Sequence, residues 1–414
     1  MTLPILEIPE DVSRLCSAYS PAFSAPQYRQ FEKFITSLMI SDHADIEALA
    51  SGYRLAQSYD ALHHFVSESP WDINDVLEQT VGVLKNLPDG QGLHEQGMLI
   101  IDDTLIEKYG RLMEAAGKLW DHSQGRYLNY AHCLVGLCWS DHKKLRYPLR
   151  FEIYQKQDWC EIHQVEFKTK IQLAIELVEW AVRQGIPFQT VVFDSWFFCK
   201  EVCDYIEELG KDWISMSKSD RIVTVKGEKQ SVSEYAATLG PNSLQKCELK
   251  GKSYAIQSVQ GRFQCLKRGK QSVRLIVSFE QKSTEKGGGH KRPVYLVSNR
   301  KDIRPERLIR AYQVRWNVET FFKDAKSHLG LGDYQMRKLN GIKSHWCLVF
   351  TSAVVLELVR WEVCTKKGLE VSKMTFGDLK RRAWGQTMRW IIRKIRMYVH
   401  EGLDDEQIAV KLAV

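Results

Sequence analysis

The sequence has none of the patterns that place a chain in a membrane or in an oxidising compartment. Its 414 residues contain no window of about 18 uninterrupted apolar residues, and no basic stretch followed by an apolar one marks its N-terminus. Ten cysteines are scattered without a Cys-x-x-Cys pair or a Cys/His cluster at zinc-finger spacing. We therefore expect a cytoplasmic protein with reduced thiols and no membrane role. No internal repeat or low-complexity tract is present either.

What the chain does have is a large apolar fraction and an uneven charge. Hydrophobic residues make up 44% of it, enough for a folded protein of two or three domains. Residues 1–100 contain 5 Lys and Arg against 14 Asp and Glu, whereas residues 301–400 contain 21 against 9. The net charge of +7 is therefore concentrated in the C-terminal half. Such an excess of positive charge favours a polyanionic partner, most simply nucleic acid.

The hydrophobic pattern divides the chain into a helical beginning and a mixed centre. Residues 1–95 show helical periodicity, which predicts a helical N-terminal domain. We expect this domain to bind DNA ends or to dimerise. A weak helix-turn-helix pattern lies around Ile46 to Val66. Three β-prone runs follow and predict an antiparallel meander. They are Met98–Ile101, Tyr127–Trp139 and Tyr147–Tyr154.

The next elements alternate between helix and strand. A helical stretch from about Val165 to Gln184 precedes a buried-type strand, Thr190–Phe193, and a helix from Phe198 to Leu209 precedes a strand from Trp213 to Ser217. The resulting βββαβαβ order is that of an RNase H-like core. We thus predict an α/β fold with the first part of this core at 96–217.

The remainder is predicted in three parts. Residues 218–292 form a β-rich insertion that ends in a flexible basic loop at 286–292, and 293–340 form the second part of the core, with a helix beginning near Pro305. Residues 341–414 form a helical basic region, in which Arg389 and Arg393 lie on an amphipathic helix. That helix either contacts DNA or a second subunit, or packs with a solvated basic side.

Two buried strands end in aspartate. Asp102 and Asp103 follow Leu99–Ile101, and Asp194 follows Val191–Phe193. Neighbouring strands would bring these carboxylates together, and close like charges require a cation, with oxygen ligands favouring Mg²⁺ or Mn²⁺. The alternatives are a strand-terminal turn at Asp102 and a helix N-cap at Asp194.

A third pattern lies on the helix near Pro305. Tyr312, Arg315, Glu319 and Lys326 fall within about 60° of arc on a helix that advances about 100° per residue. Glu319 could bind a metal, and Arg315 and Lys326 could hold phosphate oxygens. The alternative is a solvated helix with ordinary charge pairs. The opposite face is apolar and suited to packing, with Val314, Val318, Phe321, Phe322 and Ala325.

The spacing Tyr312-x2-Arg315-x3-Glu319-x6-Lys326 resembles the Y-R-E-K signature of bacterial insertion-sequence DDE transposases. The segments Tyr295–Asn299, Asp102–Thr104 and Val192–Ser195 are also similar to motifs of this family. The resemblance implies that Asp102, Asp194 and Glu319 are the catalytic, metal-binding triad for two Mg²⁺ or Mn²⁺ ions. Either Asp102 or the adjacent Asp103 stands at the first position, and the D-x-T pattern favours Asp102.

The same resemblance implies roles and partners. Tyr312, Arg315 and Lys326 would bind DNA phosphates, and the partners would be double-stranded DNA with terminal inverted repeats, target DNA, and a second copy in a homodimer on DNA. The expected activity is metal-dependent cleavage at the ends and strand transfer by two-metal phosphoryl transfer. An RNase H-like nuclease without joining activity and a non-catalytic DNA-binding derivative are the alternatives.

Overall fold

The computed structural model describes residues 5, 7–41, 43–52, 58–88, 90–142, 145–249, 251–266, 272–280 and 293–412. The basic loop predicted at 286–292 lies outside the described residues. None of the described helices is both long and apolar enough to cross a bilayer.

The N-terminal part of the chain is helical, as its periodicity predicts. Each helix buries one apolar face, and side-chain caps mark several beginnings, such as Asp72, whose carboxylate accepts from the Asn74 N–H at 2.7 Å. The helices are α1 Glu10–Cys16, α2 Ala25–Ile40, α3 Ile46–Ser51, α4 Tyr59–Ser67 and α5 Ile73–Lys85.

The central part alternates strands and helices. Its elements are β1 Met98–Glu107, β2 Gly117–Asp121, β3 Arg126–Ser140, β4 Arg146–Tyr154, α6 Gln157–His163, α7 Lys170–Arg183, β5 Thr190–Phe193, α8 Lys200–Glu208 and β6 Asp212–Met216. Strand β5 lies where it was predicted. Strand β2 was not predicted, and α7 begins later than expected because Thr169 caps it, accepting from the Gln172 N–H at 3.2 Å.

The remaining elements extend the sheet and then return to helix. The strands are β7 Ile222–Val225, β8 Glu228–Ser231, β9 Gln245–Leu249, β10 Lys252–Phe263, β11 Val273–Glu280 and β12 Val294–Ser298, with helix α9 Val232–Ala237 between β8 and β9. The helices are α10 Pro305–Gln313, α11 Trp316–His328, α12 Leu339–Lys366, α13 Phe376–His400 and α14 Asp405–Leu412.

One 12-stranded sheet organises the described chain. Strands β4, β3 and β1 pair antiparallel, as the predicted meander requires, and β1, β5 and β6 pair parallel. Strand β12 pairs antiparallel with β6, and β11 and β10 continue the sheet into the β-rich insertion. The α/β class is therefore confirmed.

Helix α12 joins the helical parts to the sheet. It is buried along most of its length, and it packs on β4 on one side and on α2, α4 and α5 on the other. Apolar residues occur all around it, as expected of a helix enclosed by other elements. Its buried Glu357 is paired with Arg360 and lies 3.7 Å from Arg146 of β4.

Candidate active site

The first two predicted carboxylates lie side by side where the parallel pairing of β1 and β5 stops. Ile101 of β1 is opposite Phe193 of β5, and Asp102 and Asp194 are the next residues. The prediction that β1 ends at Asp102 is wrong, because β1 stays paired with β3 as far as Glu107, whereas β5 does end before Asp194.

The Asp194 Oδ1 atom accepts a hydrogen bond from the backbone N–H of Trp196 at 2.9 Å. The backbone carbonyl of Asp194 accepts one from the Ser215 hydroxyl at 3.0 Å. These two bonds hold the turn after β5, so that the Asp194 carboxylate stays beside the Asp102 carboxylate.

The surroundings of both carboxylates disfavour negative charge. Burial raises the pKa of Asp102 to about 7; the guanidinium of Arg315 opposes the rise, and the charges of Asp194 and Asp103 add to it. Burial likewise raises the pKa of Asp194, although the N–H of Trp196 opposes it. A pair of crowded carboxylates of this kind requires positive charge close by.

The third carboxylate is on α11, which was predicted as part of one helix beginning near Pro305. That prediction is wrong in one respect, because Val314 and Arg315 form a turn between α10 and α11. The N–H of Arg315 bonds to the Tyr312 carbonyl at 3.0 Å and that of Val318 to the Arg315 carbonyl at 3.1 Å, the tighter spacing of a 3₁₀ turn. The break places Arg315 at the start of the Glu319 helix.

Several contacts fix α11 against the sheet. Asn317 Nδ2 donates to Ser140 Oγ at 2.6 Å, Lys326 Nζ donates to the Leu105 carbonyl at 2.7 Å, and Asp324 pairs with Arg146 at 2.9 Å. The predicted apolar face is confirmed as buried. A Cβ atom built on Gly136, which is paired with Asp102, would lie 2.9 Å from the Phe322 ring. Glycine at that position therefore lets α11 approach the strand that carries Asp102.

Arg315 joins the carboxylates. Its Nη1 atom donates to Asp102 Oδ2 at 2.7 Å, and its Nη2 atom donates to Glu319. The guanidinium also lies 5.8 Å from the centroid of the buried Tyr312 ring. Asp102, Asp103, Glu319 and Lys326 line one open cleft, whereas Asp194, Tyr312 and Arg315 lie beside it and do not line it.

Asp103 points to a different set of partners. Lys170 Nζ lies 2.7 Å from Asp103 Oδ2, and the Cys133 thiol donates to the same oxygen at 3.3 Å. Sequence reasoning missed Lys170, because the contact joins residues 67 positions apart and no local pattern marks it. Asp102 and Asp103 both line the cleft, and they differ in their ion-pair partners, Arg315 for Asp102 and Lys170 for Asp103.

The donor set suits a hard divalent cation. Three carboxylates, of which Asp102 is buried and Asp194 and Glu319 are half-buried, supply only oxygen atoms, which are the preferred ligands of Mg²⁺ and Mn²⁺. In the parts of the chain that the structure describes, no three His, Cys, Asp or Glu side chains converge as a ready-made metal-binding group. The Arg315 guanidinium contacts two of the carboxylates instead.

A family model described as DDE superfamily endonuclease matches residues 19–261, which is more than half of the chain. The chain therefore belongs to the DDE superfamily endonucleases and is an enzyme of the nuclease and transposase kind. The matched range contains Asp102 and Asp194 and ends before Glu319.

Among curated proteins, the chain is similar to the probable transposase for insertion sequence element IS701 of Microchaete diplosiphon. The two are 25% identical over 346 residues, which cover 78% of this chain and 81% of the relative. The predicted resemblance to insertion-sequence DDE transposases is thus confirmed. Among solved structures, the NurA nuclease from Sulfolobus solfataricus aligns over 66% of this chain and 86% of the nuclease chain. The sequence identity is 10% and the TM-score is 0.26, a score at which two chains need not share a fold.

Proposed function

We propose that this chain is a DNA transposase, which cuts DNA at the ends of an insertion sequence and joins the freed 3′ ends to target DNA. The observation that carries the proposal is the grouping of Asp102 and Glu319 around Arg315, with Asp194 on the adjacent parallel strand. Similarity to the probable IS701 transposase supports the same activity. The strand order β4-β3-β1-β5-β6, antiparallel and then parallel, supports an RNase H-like core.

Asp102, Asp194 and Glu319 would hold two Mg²⁺ or Mn²⁺ ions. Bound ions of this kind lower the pKa of the attacking hydroxyl and stabilise the negative charge on the leaving oxygen. The protein fixes Asp102 on strand β1, Asp194 directly after strand β5, and Glu319 on a helix packed against the sheet. A site built on rigid elements holds its ligands closer to the productive geometry than a loop would.

The reaction consists of two phosphoryl transfers at one site. In the first, a water oxygen forms a bond to the phosphorus at the element's end, and the bond to the 3′ oxygen breaks with its electron pair on that oxygen. In the second, the freed 3′ hydroxyl attacks a phosphorus of target DNA, and the target 3′ oxygen leaves. Neither step needs a covalent enzyme intermediate.

The basic side chains of the cleft bind the DNA in this proposal. Arg315 presents a planar fork and Lys326 a point charge to phosphate oxygens at the cleavage site. Tyr312, buried beside Arg315, completes the group with its hydroxyl. The substrates are double-stranded DNA with terminal inverted repeats and target DNA. Because cut-and-paste movement requires two ends to be cut together, the active form is a homodimer on DNA, with residues 1–95 binding ends or the second subunit.

The test is an assay of the purified protein with Mg²⁺ on a labelled duplex that carries the inverted repeat flanking its own gene. We expect both cleavage and joining to a plasmid, and loss of both in Glu319→Ala. Glu161→Ala, an exposed glutamate on α6, is the matched control and should keep both activities. Cleavage without joining would identify a nuclease, and binding without either product would identify a DNA-binding derivative.

A second measurement tests the metal site without activity. Mg²⁺ should raise the melting temperature of the protein because it binds the folded state. The rise should be lost in Asp194→Asn. An equal rise in both proteins would overturn the assignment of Asp194 as a ligand.

A further inference from the structure

The end of β3 and the start of β4 hold the Glu319 helix at two points. Asn317 Nδ2 donates to Ser140 Oγ at 2.6 Å, and the Asp324 carboxylate pairs with Arg146 at 2.9 Å. Asn317 and Asp324 are seven residues apart, so they lie on one side of α11 and about 10 Å apart along its axis. Two attachments at that separation fix both the rotation of α11 and its position along the axis. Glu319 lies between them in the chain.

Arg146 belongs to a buried cluster of two arginines and two carboxylates. Arg146, Glu357 and Arg360 are all buried. Glu357 of α12 pairs with Arg360 and lies 3.7 Å from Arg146. The second carboxylate of the cluster is that of Asp324 on α11. The two positive and two negative charges balance, and removing any one of them would leave an uncompensated charge out of water.

The first turns of α13 complete the support of α11. The buried Phe376 ring has its centroid 5.1 Å from the Arg146 guanidinium and 5.9 Å from that of Arg360. Lys380 Nζ, one turn later, donates at 3.0 Å to the carbonyl of His328, the last residue of α11. Carbonyls at a helix C-terminus have no partner within the helix and carry partial negative charge, so an amine binds there favourably. Helix α13 thus contacts α11 both directly and through Arg146.

Directional bonds of this kind provide what apolar packing does not. The buried face of α11 is aromatic and aliphatic, and hydrophobic contacts have no preferred direction. A buried ion pair adds little stability over apolar residues of the same volume, and its best-attested use is to select one arrangement of the packed elements. A metal ligand must be held within about 0.5 Å of its productive position. The cluster supplies this precision to the helix that carries Glu319.

We propose that Arg146 is a positioning residue for Glu319, and that α12 and α13 take part in the metal site by holding Arg146 and α11 in place. The contacts run from Glu357 and Phe376 to Arg146, and from Arg146 through Asp324 to α11. The inference rests on the proposed function, because it takes Glu319 as a metal ligand. It gives the C-terminal helices a role in the site that is separate from any contact with DNA.

The experiment measures the Mn²⁺ affinity of the free protein. Electron paramagnetic resonance reports the unbound ion, so that neither DNA nor catalysis takes part. Asp324→Asn and Phe376→Ala should each weaken Mn²⁺ binding by about 10-fold, at the low end of the effect of residues that orient metal ligands. Arg146→Lys keeps the charge and should lose less affinity than Arg146→Met. Because Arg146 acts through Asp324, the double variant Arg146→Met, Asp324→Asn should bind Mn²⁺ no more weakly than Arg146→Met alone.

Two controls separate positioning from a general loss of stability. Val232→Ala removes buried methyl groups from α9 of the β-rich insertion, and Asp158→Asn removes an exposed, ion-paired aspartate from α6. Both should bind Mn²⁺ as the wild type does, and urea denaturation verifies that every variant is folded. Amide hydrogen exchange should become faster along α11 in Asp324→Asn and not in the controls. Equal losses of stability and of Mn²⁺ affinity in Val232→Ala and Asp324→Asn would overturn the positioning role.

Glu319→Ala in the same titration distinguishes this inference from the proposed function. Weaker binding in Glu319→Ala, with wild-type affinity in Asp324→Asn and Phe376→Ala, would overturn the positioning role and leave the triad in place. Wild-type affinity in Glu319→Ala would instead overturn Glu319 as a ligand, and the role of Arg146 would fall with it.

Discussion

Arg315 donates a hydrogen bond to Asp102 at 2.7 Å although the two residues are 213 positions apart, and the same guanidinium contacts Glu319. One cation thus contacts two of the three proposed metal ligands. Because Arg315 is also a proposed phosphate-binding residue, binding of metal and DNA would release it from the carboxylates and turn it to the substrate.

Replacing Arg315 should destabilise the metal-free protein. Removing one partner of a buried ion pair leaves a buried charge, and we expect Arg315→Ala to lose on the order of 3 kcal/mol of unfolding free energy in urea denaturation. Mg²⁺ should restore more stability to this variant than it adds to the wild type, since it supplies the missing positive charge. Arg315→Lys keeps the charge and should lose less. Equal stability of all three proteins without metal would contradict this role.

Asp102, and not Asp103, should be the first catalytic carboxylate. Both aspartates line the cleft, but Asp102 is paired with Arg315, which also contacts Glu319, whereas Asp103 is paired with Lys170. We expect Asp102→Asn to reduce Mg²⁺-dependent cleavage by at least about 100-fold, in the range for loss of one electrostatic group at an active site. Asp103→Asn should stay within a few-fold of wild type and lower stability by about 1 kcal/mol at most, because its ion pair is partly exposed. The reverse order of effects would assign the position to Asp103.

Gly136 should set the distance between β3 and the Glu319 helix. Because a Cβ atom there would lie 2.9 Å from the Phe322 ring, Gly136→Leu should displace α11 and lower the unfolding free energy by about 1–3 kcal/mol, together with cleavage activity. Gly82→Ala is the control, since a Cβ atom at Gly82 in α5 meets nothing within 4 Å. That variant should gain about 0.5–1 kcal/mol. Full activity of Gly136→Leu would show that α11 tolerates the shift.

The basic face of α13 offers a test of DNA binding by the C-terminal region. Arg389 and Arg393 are exposed there, and Arg389→Glu with Arg393→Glu should weaken binding of the inverted repeat and lower the slope of log K against log salt by about 1–2. Arg183→Glu on α7 is a charge-matched control for Arg389→Glu alone, and it should have a smaller effect than that single variant. A slope unchanged by the double substitution would mean that α13 does not contact DNA.

His345 should make the protein less stable in acid. Burial lowers the pKa of this histidine to about 4, below its ordinary value near 6.5, while its Nε2–H donates to the Gly330 carbonyl at 2.8 Å. Between these two pH values the unfolded chain binds a proton at His345 that the folded chain excludes. The contribution of neutral His345 to folding stability is therefore complete above about pH 6.5 and falls as the pH approaches 4. The loss should reach up to about 3 kcal/mol. His345→Gln should show a shallower fall over this range in urea denaturation, and an identical pH profile would contradict the assignment.

The local features of the fold followed well from the sequence. Strand β5 occupies the predicted residues, because a short run rich in β-branched residues favours a buried strand over a helix. The meander of β1, β3 and β4 was also predicted, as was the buried face of α11. Strand β2 was missed, because its alternation is short and leaves Trp120 exposed.

Features that depend on distant contacts did not follow from the sequence. The turn between α10 and α11 lies in a segment with continuous helical periodicity. Strands β10 and β11, which lie in the segment expected to be an insertion, continue the same sheet beyond β12. The pairs Lys170–Asp103 and Arg315–Asp102 have no local pattern either.

The sequence by itself determined the α/β class and placed Asp102 on a strand, Asp194 directly after a strand and Glu319 on a helix, because periodicity is a local property of the chain. The tertiary structure alone decided which of these side chains meet, which aspartate faces Arg315, and which aromatic rings stay exposed beside Asp194. The reason is that strand pairing and helix packing bring together residues hundreds of positions apart, and only that packing sets the burial and the charge around each carboxylate.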